Sequence, residues 1–375
     1  MKLILFDDGG GELAPLTDLR PAFDVRTGAW TPHERWSQLG LPPAGLIVPE
    51  PQVELTQELH PKLGVNLPIV GGATLVNGRW PLAARDAETI AALEPGHALV
   101  DGGTVLAAKV ADPSSDLLDT SSYEATDHEA RLLERCWHVR SLRDACLSYD
   151  LSQLAPAKGV VVRENARVAD TAVLDASSGA IVIDEDARIG HHAVILGPAY
   201  VGPGSTVAEH ATIRPNTAIG PVCKVGGEVS GTIFQGYANK THDGYLGDSY
   251  VGMWVNLGAG TTNSNLLNTY GEIIVDRQRT GETFLGCVLG DHVRTAICTR
   301  IMTGAVVGTG TMWAASTAVS GRVGAMRWMT DAGERAYRPE KFLEVARAAM
   351  ARRERSPSQP EIDRFAMLAQ VGERG

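Results

Sequence analysis

From Ile183 onward an aliphatic residue returns at every sixth position: Ile183, Ile189, Ile195, Val201, Val207, Ile213, Ile219 and Val225. Four residues after each of the first seven stands a small one: Ala187, Ala193, Ala199, Ser205, Ala211, Thr217 and Cys223. Neither the 3.6-residue repeat of a helix nor the two-residue repeat of a flat strand yields this spacing. A chain that turns a corner every six residues does, sending one branched aliphatic inward per strand while the corner admits only a small side chain. Three such edges close a triangular coil of about 18 residues, and stacked coils hide their apolar edges only against one another. Gly and Pro punctuate the expected corners at Gly190, Gly197-Pro198, Gly202-Pro203-Gly204 and Gly220-Pro221, where turns need a positive or pre-set φ. The step resumes at Tyr245, Val251 and Leu257, and again from Leu289 through Thr295, Ile301, Val307 and Trp313 to Val319. With a weaker run at Val162, Val168 and Leu174, this predicts a solenoid over 157–322.

The flanks read differently. Residues 1–125 mix short apolar runs (Leu3 to Phe6, Gly45 to Val48, Ala73 to Val76, Ala98 to Val100, Val105 to Val110) with Pro and Gly breaks, the pattern of a small α/β domain. Residues 126–156 read as a connecting helix capped by Asp127, with Leu132, Leu133, Cys136, Val139, Leu142 and Cys146 at three- and four-residue steps. Residues 323–375 read as a helical tail. Pro339 suits a first turn, Phe342, Val345, Ala346, Ala349 and Met350 make one face, and a second helix is expected over 360–371.

Composition narrows the function. The chain has 375 residues and a formal charge of −10, the opposite of the clustered cation that a phosphate-backbone reader carries, so nucleic acid is not an expected partner. No stretch approaches the roughly 20 apolar residues of a membrane helix, and the opening apolar run is too short for a signal peptide. Five scattered cysteines without a CxxC pattern fit reduced thiols. The expectation is a cytoplasmic protein with no membrane association.

The hexad breaks at Gly236-Tyr-Ala-Asn-Lys-Thr-His242-Asp-Gly-Tyr245-Leu-Gly-Asp248, followed by Val255-Asn256-Leu-Gly-Ala259-Gly-Thr. This stretch, with Ile213-Arg214-Pro215 upstream, resembles the acetyltransferase half of the bifunctional glucosamine-1-phosphate acetyltransferase/N-acetylglucosamine-1-phosphate uridylyltransferase family. The whole chain resembles the divergent GlmU-like sugar nucleotidylyltransferase group. The resemblance implies a left-handed parallel β-helix, homotrimers, acetyl-CoA as cosubstrate, and an amino sugar phosphate or nucleotide-linked amino sugar as acceptor, in UDP-N-acetylglucosamine-type biosynthesis. It puts His242 on the general base, Arg214 on the sugar phosphate, Tyr245 and Asn256 on the sugar, and Asn265 and Ala259 near the acetyl donor. The residue types suit the chemistry: an imidazole titrating near neutrality takes the proton as an amine attacks a thioester, and a planar guanidinium meets two phosphate oxygens. The family's phosphate-site lysine has no counterpart at 230–232, and the basic residue expected near Gly271 is also absent.

The N-terminal segment Pro15-Leu16-Thr17-Asp-Leu-Arg20-Pro21 echoes sugar nucleotidylyltransferases, which implies a nucleotide site using Thr17 and Arg20. Ahead of it, Asp7-Asp8-Gly-Gly-Gly11 is acidic where that family cradles a triphosphate; Asp7 or Asp8 is open to a Mg²⁺ role or to plain turn formation. His192 and His210, 18 residues apart, are open to metal sharing or to simple stacking, and stacking is the preferred reading. Arg352, Arg353 and Arg355 form a solvated face or a basic tail near donor phosphates. Beside acyl transfer stand two alternatives, nucleotidyl transfer in the N-terminal domain and a non-catalytic trimeric scaffold.

Overall fold

The computed structural model describes residues 2–373 apart from residue 115. Two compact units emerge: Met1–Leu13, Leu19–Val25 and Trp30–Arg135 make the first, while Ala14–Asp18, Arg26–Ala29 and Cys136–Gly375 make the second.

The first unit is built on one mixed sheet. Its strands β1 (Leu3–Phe6), β2 (Gly45–Ile47), β3 (Gly64–Val65), β4 (Thr74–Asn77), β5 (His97–Asp101), β6 (Thr104–Lys109) and β7 (Glu124–Asp127) lie in the order β3-β2-β1-β4-β6-β5-β7. β1 runs parallel to both β2 and β4, and β6 pairs antiparallel with β4 and β5. The apolar runs supply the core, with Phe6, Leu75, Ala98, Val105 and Ala108 almost fully buried. Short helices α1 (Pro32–Gln38), α2 (Val53–Leu59) and α3 (Ala87–Ala91) join the strands. Thr31 and Glu34 close a reciprocal capping box on α1, with Pro32 in its first turn.

The connecting helix α4 starts at His138 and ends at Leu154, not at Asp127. Residues 124–127 instead extend the sheet, Asp127 facing Val100 in register, and Leu133 N donates to Arg79 O. The apolar steps through Leu132, Leu133 and Cys136 reflect burial of an irregular segment. From His138 the helical period is real: Val139, Leu142, Cys146, Leu147 and Leu151 are buried, and the helix packs on strands Ile181–Ile183 and Ala199–Val201.

The second unit is the triangular prism that the hexads require, its parallel sheets consistent with a left-handed β-helix. A first wall of nine strands runs from Val160–Val162 to Arg322–Val323. A second holds Arg188–Ile189, Thr206–Val207, Lys224–Val225 and Asn239–Lys240, and a third holds Val194–Leu196, Thr212–Ile213, Glu228–Ser230 and Tyr245–Gly247. All eight hexad aliphatics are 3% exposed or less, and every small partner from Ala187 to Cys223 is fully buried.

The corners work differently from the expectation. Left-handed backbone falls on Asp186, His192, Gly204, His210, Asn216 and Val222, not on Gly190, Gly202 or Gly220. Those three glycines are needed because neighbouring coils touch there. A Cβ on Gly202 would sit 2.7 Å from Ile219 O, and one on Gly220 would sit 2.4 Å from Gln235 O. His192 and His210 occupy equivalent left-handed corners one coil apart, with stacked rings 5.1 Å between centroids.

Parallel pairing continues past 322: Arg327–Thr330 pairs with Met312–Trp313 and folds back antiparallel onto Gly333–Ala336. Helices α5 (Pro339–Ala351) and α6 (Gln359–Glu373) follow. Among the described residues no helix is long and apolar enough to cross a membrane.

Candidate active site

The third wall stacks Thr212, Glu228 and Tyr245 in register on successive coils, about 4.8 Å apart in a parallel ladder. Arg214, just beyond the first of these strands, ion-pairs through Nε with Glu228, both side chains about half exposed. Tyr245 is half-buried, and its hydroxyl accepts a hydrogen bond from Asn265 Nδ2 at 3.0 Å. The same amide donates to Asp248 Oδ2 at 2.8 Å, so both its N–H groups are used. Burial, then the Asp248 charge, pushes the Tyr245 phenol above its ordinary value, so it stays protonated near neutrality.

Helix α4 adds two cations to this wall. Arg143, buried, donates through Nη1 to Asp248 Oδ1 at 2.8 Å and to Gly231 O, and through Nε to Asp144 at 2.7 Å. Arg140, one turn earlier, pairs with Glu282 at 2.6 Å and lies 3.4 Å from Asp248. Gly231 makes room: its φ is +50°, and a Cβ there would lie 2.5 Å from the Arg143 guanidinium. Acidic partners hold both arginines, Asp144 and Asp248 for Arg143, and Glu282 and Asp248 for Arg140. Together with Asp248 they form a continuous charge-assisted chain to Asn265 and Tyr245.

His242 occupies the corner between the second and third walls, exposed, its imidazole without a hydrogen-bond partner among the described residues. Its backbone is fixed instead. Lys240, 2% exposed, donates through Nζ to His242 O at 2.8 Å and to Gly226 O at 2.9 Å. Burial drives the Lys240 ammonium down to about 8, against the opposing pull of Asp243. Gly260 N donates to Asp243 O, which sets the corner containing Ala259 one coil from that of His242. Asn256 lies on the second wall, where Asn239 Nδ2 donates to its Oδ1 at 2.9 Å. The fold therefore gathers Arg214, Tyr245 and Asn265 on one wall, sets His242 and Ala259 on adjoining corners, and carries Asn256 to the next wall. Sequence reasoning missed Arg140, Arg143 and Lys240. The i, i+3 spacing of the two arginines on a helix was the available signal.

In the first unit, Arg20 is 4% exposed, whereas Thr17 is half-buried and belongs to the second unit. The acidic turn is saturated by protein partners. Asp7 accepts from Gly9 N and Ala22 N, and Asp8 accepts from Gly10 N and Asn77 and takes both Arg79 Nε and Nη2 at 2.6 Å. Burial raises the Asp7 carboxyl; burial also pushes on Asp8, but the Arg79 hydrogen bonds and charge outweigh it and leave that carboxyl low. These carboxylates do not fit a Mg²⁺ site, since their oxygens are already engaged. The geometry is that of turn formers. Among the described residues no group of three or more His, Cys, Asp or Glu is placed to hold a metal.

Residues 3–157 match the family described as sugar nucleotidyl transferase, and residues 180–215 match the bacterial transferase hexapeptide family with six repeats. Two segments of the chain thus match transferase family models. A "Bifunctional sugar-1-phosphate nucleotidylyltransferase/acetyltransferase" of Sulfurisphaera tokodaii is 29% identical over 199 residues, 52% of this chain and 49% of the relative. A "Bifunctional protein GlmU" of Ralstonia nicotianae is 27% identical over 202 residues, 48% of this chain and 42% of the relative. The chain thus spans about half the length of the curated relatives it matches. Among solved structures, the UDP-N-acetylglucosamine acyltransferase of Francisella novicida aligns with 56% of this chain and 88% of its own, at 15% identity and a TM-score of 0.30.

Proposed function

We propose that the solenoid is an acyl-CoA-dependent N-acetyltransferase acting on an amino sugar phosphate or a nucleotide-linked amino sugar. The observation that carries this reading is the hydrogen bond from Asn265 to Tyr245, which joins two separate motif residues on the wall that also bears Arg214. His242, whose ring has no hydrogen-bond partner among the described residues, acts as the base. As the amine nitrogen attacks the thioester carbonyl, its proton passes to the imidazole; the tetrahedral intermediate then collapses, the C–S bond breaks, and the thiolate leaves and is protonated. The protonated Tyr245 and the amide of Asn265 orient the acceptor and donor, and Arg214 meets acceptor phosphate by exchanging its Glu228 partner for it.

The protein works as a cytoplasmic homotrimer in this reading, with the exposed corner of His242 turned toward a neighbouring copy. Exposed Ile297 and Met302 on later coils suit burial against such a neighbour. Thiol release from acetyl-CoA by the full chain, screened over glucosamine 1-phosphate and UDP-glucosamine, tests the activity. Turnover with at least one acceptor is expected, and no thiol release with any amino sugar removes the reading.

A second activity, nucleotidyl transfer from UTP to a sugar 1-phosphate, is favoured by the family match over residues 3–157. Pyrophosphate release by the full chain, lost in Arg20→Ala, is its expected signature. The same release undiminished in that variant removes Arg20 from the role.

A further inference from the structure

A cleft of about 300 Å³ lies between the second wall of the solenoid and helix α5. Four cations line it, Lys224 and Arg294 from the wall and Arg352 and Arg353 from the end of the helix, and no carboxylate is among the lining residues. By contrast, Arg214 on the third wall pairs with Glu228, and Arg143 on α4 pairs with Asp248. These four make no ion pair among the described residues. Arg294 is the telling one. Its Nη2 is buried without a hydrogen-bond partner, and burial first, then the like charge of Arg352, works against its ionised form, with the Tyr337 phenol pulling the other way. A desolvated guanidinium facing like charge costs free energy that the fold does not recover internally, and a bound anion supplies the missing acceptor. The rest of the cleft suits an organic ligand: Tyr237 and Trp254 stack with centroids 4.5 Å apart, and Asn239 and Asn256 offer amides.

We propose that this cleft binds a phosphorylated small molecule, its phosphate held by Arg294 with Arg352, Arg353 and Lys224, and its organic part lying along the Tyr237 and Trp254 rings. The guanidinium planes match phosphate oxygens in pairs, which three arginines converging on one cleft exploit better than dispersed lysines. This site needs neither His242 nor an acyl donor, and Asn256 is its one lining residue that the resemblance puts on the acceptor sugar.

Calorimetric titration of the full chain with UMP, with coenzyme A and with inorganic phosphate tests it, and the three arms separate nucleotide, acyl-carrier and bare-phosphate sources. At least one of them is expected to bind, with affinity falling as salt rises. The double variant Arg352→Ala/Arg353→Ala, on an exposed helix end, is expected to weaken that binding tenfold or more with an unchanged melting temperature, and Arg294→Gln to weaken it at least as much. His242→Ala is expected to bind like wild type, so loss of turnover and loss of this site are read separately. Absence of binding by all three probes, or binding indifferent to both the double variant and Arg294→Gln, overturns the proposal.

Discussion

Lys240 offers a quantitative test of how the His242 corner is held. Its ammonium is 2% exposed and faces two backbone carbonyls, Gly226 O at 2.9 Å and His242 O at 2.8 Å. A neutral amine has two N–H donors, enough for both acceptors, so losing the third proton costs no hydrogen bond and relieves the burial of charge. The group titrates at about 8 in the fold against an ordinary lysine value of 10.5. That gap, at about 1.4 kcal/mol for each pH unit, is worth about 3 kcal/mol. The sign follows from proton counts. Between pH 8 and 10.5 the unfolded chain binds more protons at this site than the folded one, so stability rises with pH there and is lost as pH falls back through 8. Urea unfolding of wild type and Lys240→Met from pH 7 to pH 10.5 reads it, because shared titrations cancel in the difference. The difference in unfolding free energy should move in favour of wild type by about 3 kcal/mol across that window. A difference flat with pH would refute the buried-ammonium account of the corner.

Two further outcomes follow from the packing. Gly202→Ala should destabilise the solenoid by about 1–3 kcal/mol, read as a lower urea midpoint, because its methyl meets Ile219 O at 2.7 Å; an unchanged midpoint would contradict the close-approach role of that corner. Arg79→Met should cost about 3 kcal/mol or more at pH 7 by stranding the Asp8 carboxylate. Asp8 titrates below its usual range, so the pair's contribution is present above the unfolded carboxylate value and lost as pH falls through the folded one. The gap between wild type and variant should therefore narrow in acid, and an equal gap at pH 7 and pH 3 argues against the ion pair.

The prism was readable because its period is enforced at every coil: a polar residue at Ile195 or Ile213 would break a wall, so the signal repeats. The corners were read less well. Glycine at 202 and 220 advertises a turn, yet the left-handed residues are Asp186, His192 and Asn216, types that tolerate this region, and Val222, a β-branched type that gives no sign of it. The reason lies in contacts between coils, which sequence spacing does not display. The same holds for α4. Its apolar steps begin before the helix does, since an irregular buried segment and a helix can both bury every third or fourth residue.

At the site, Tyr245 and Asn265 were legible through their motifs, and their hydrogen bond across 20 residues of chain is the kind of closure a motif alone leaves open. Arg140 and Arg143 are not signalled by the apolar spacing of α4, which marks only the face that packs on the solenoid. Lys240 escaped notice because burial of a lysine inside a polar stretch has no sequence signature. The cationic cleft draws Lys224, Arg294, Arg352 and Arg353 from three separate parts of the chain, and only folding assembles them.

The most direct test of the acyl-transfer account is the turnover number for acetyl transfer to the best amino sugar acceptor in wild type and in His242→Ala, measured with both substrates saturating. Loss of the base should lower kcat by about 10²–10⁴-fold while the variant keeps its melting temperature. An unchanged kcat in a folded His242→Ala protein would contradict the assignment of proton transfer to this corner and, with it, the account of the wall beside it.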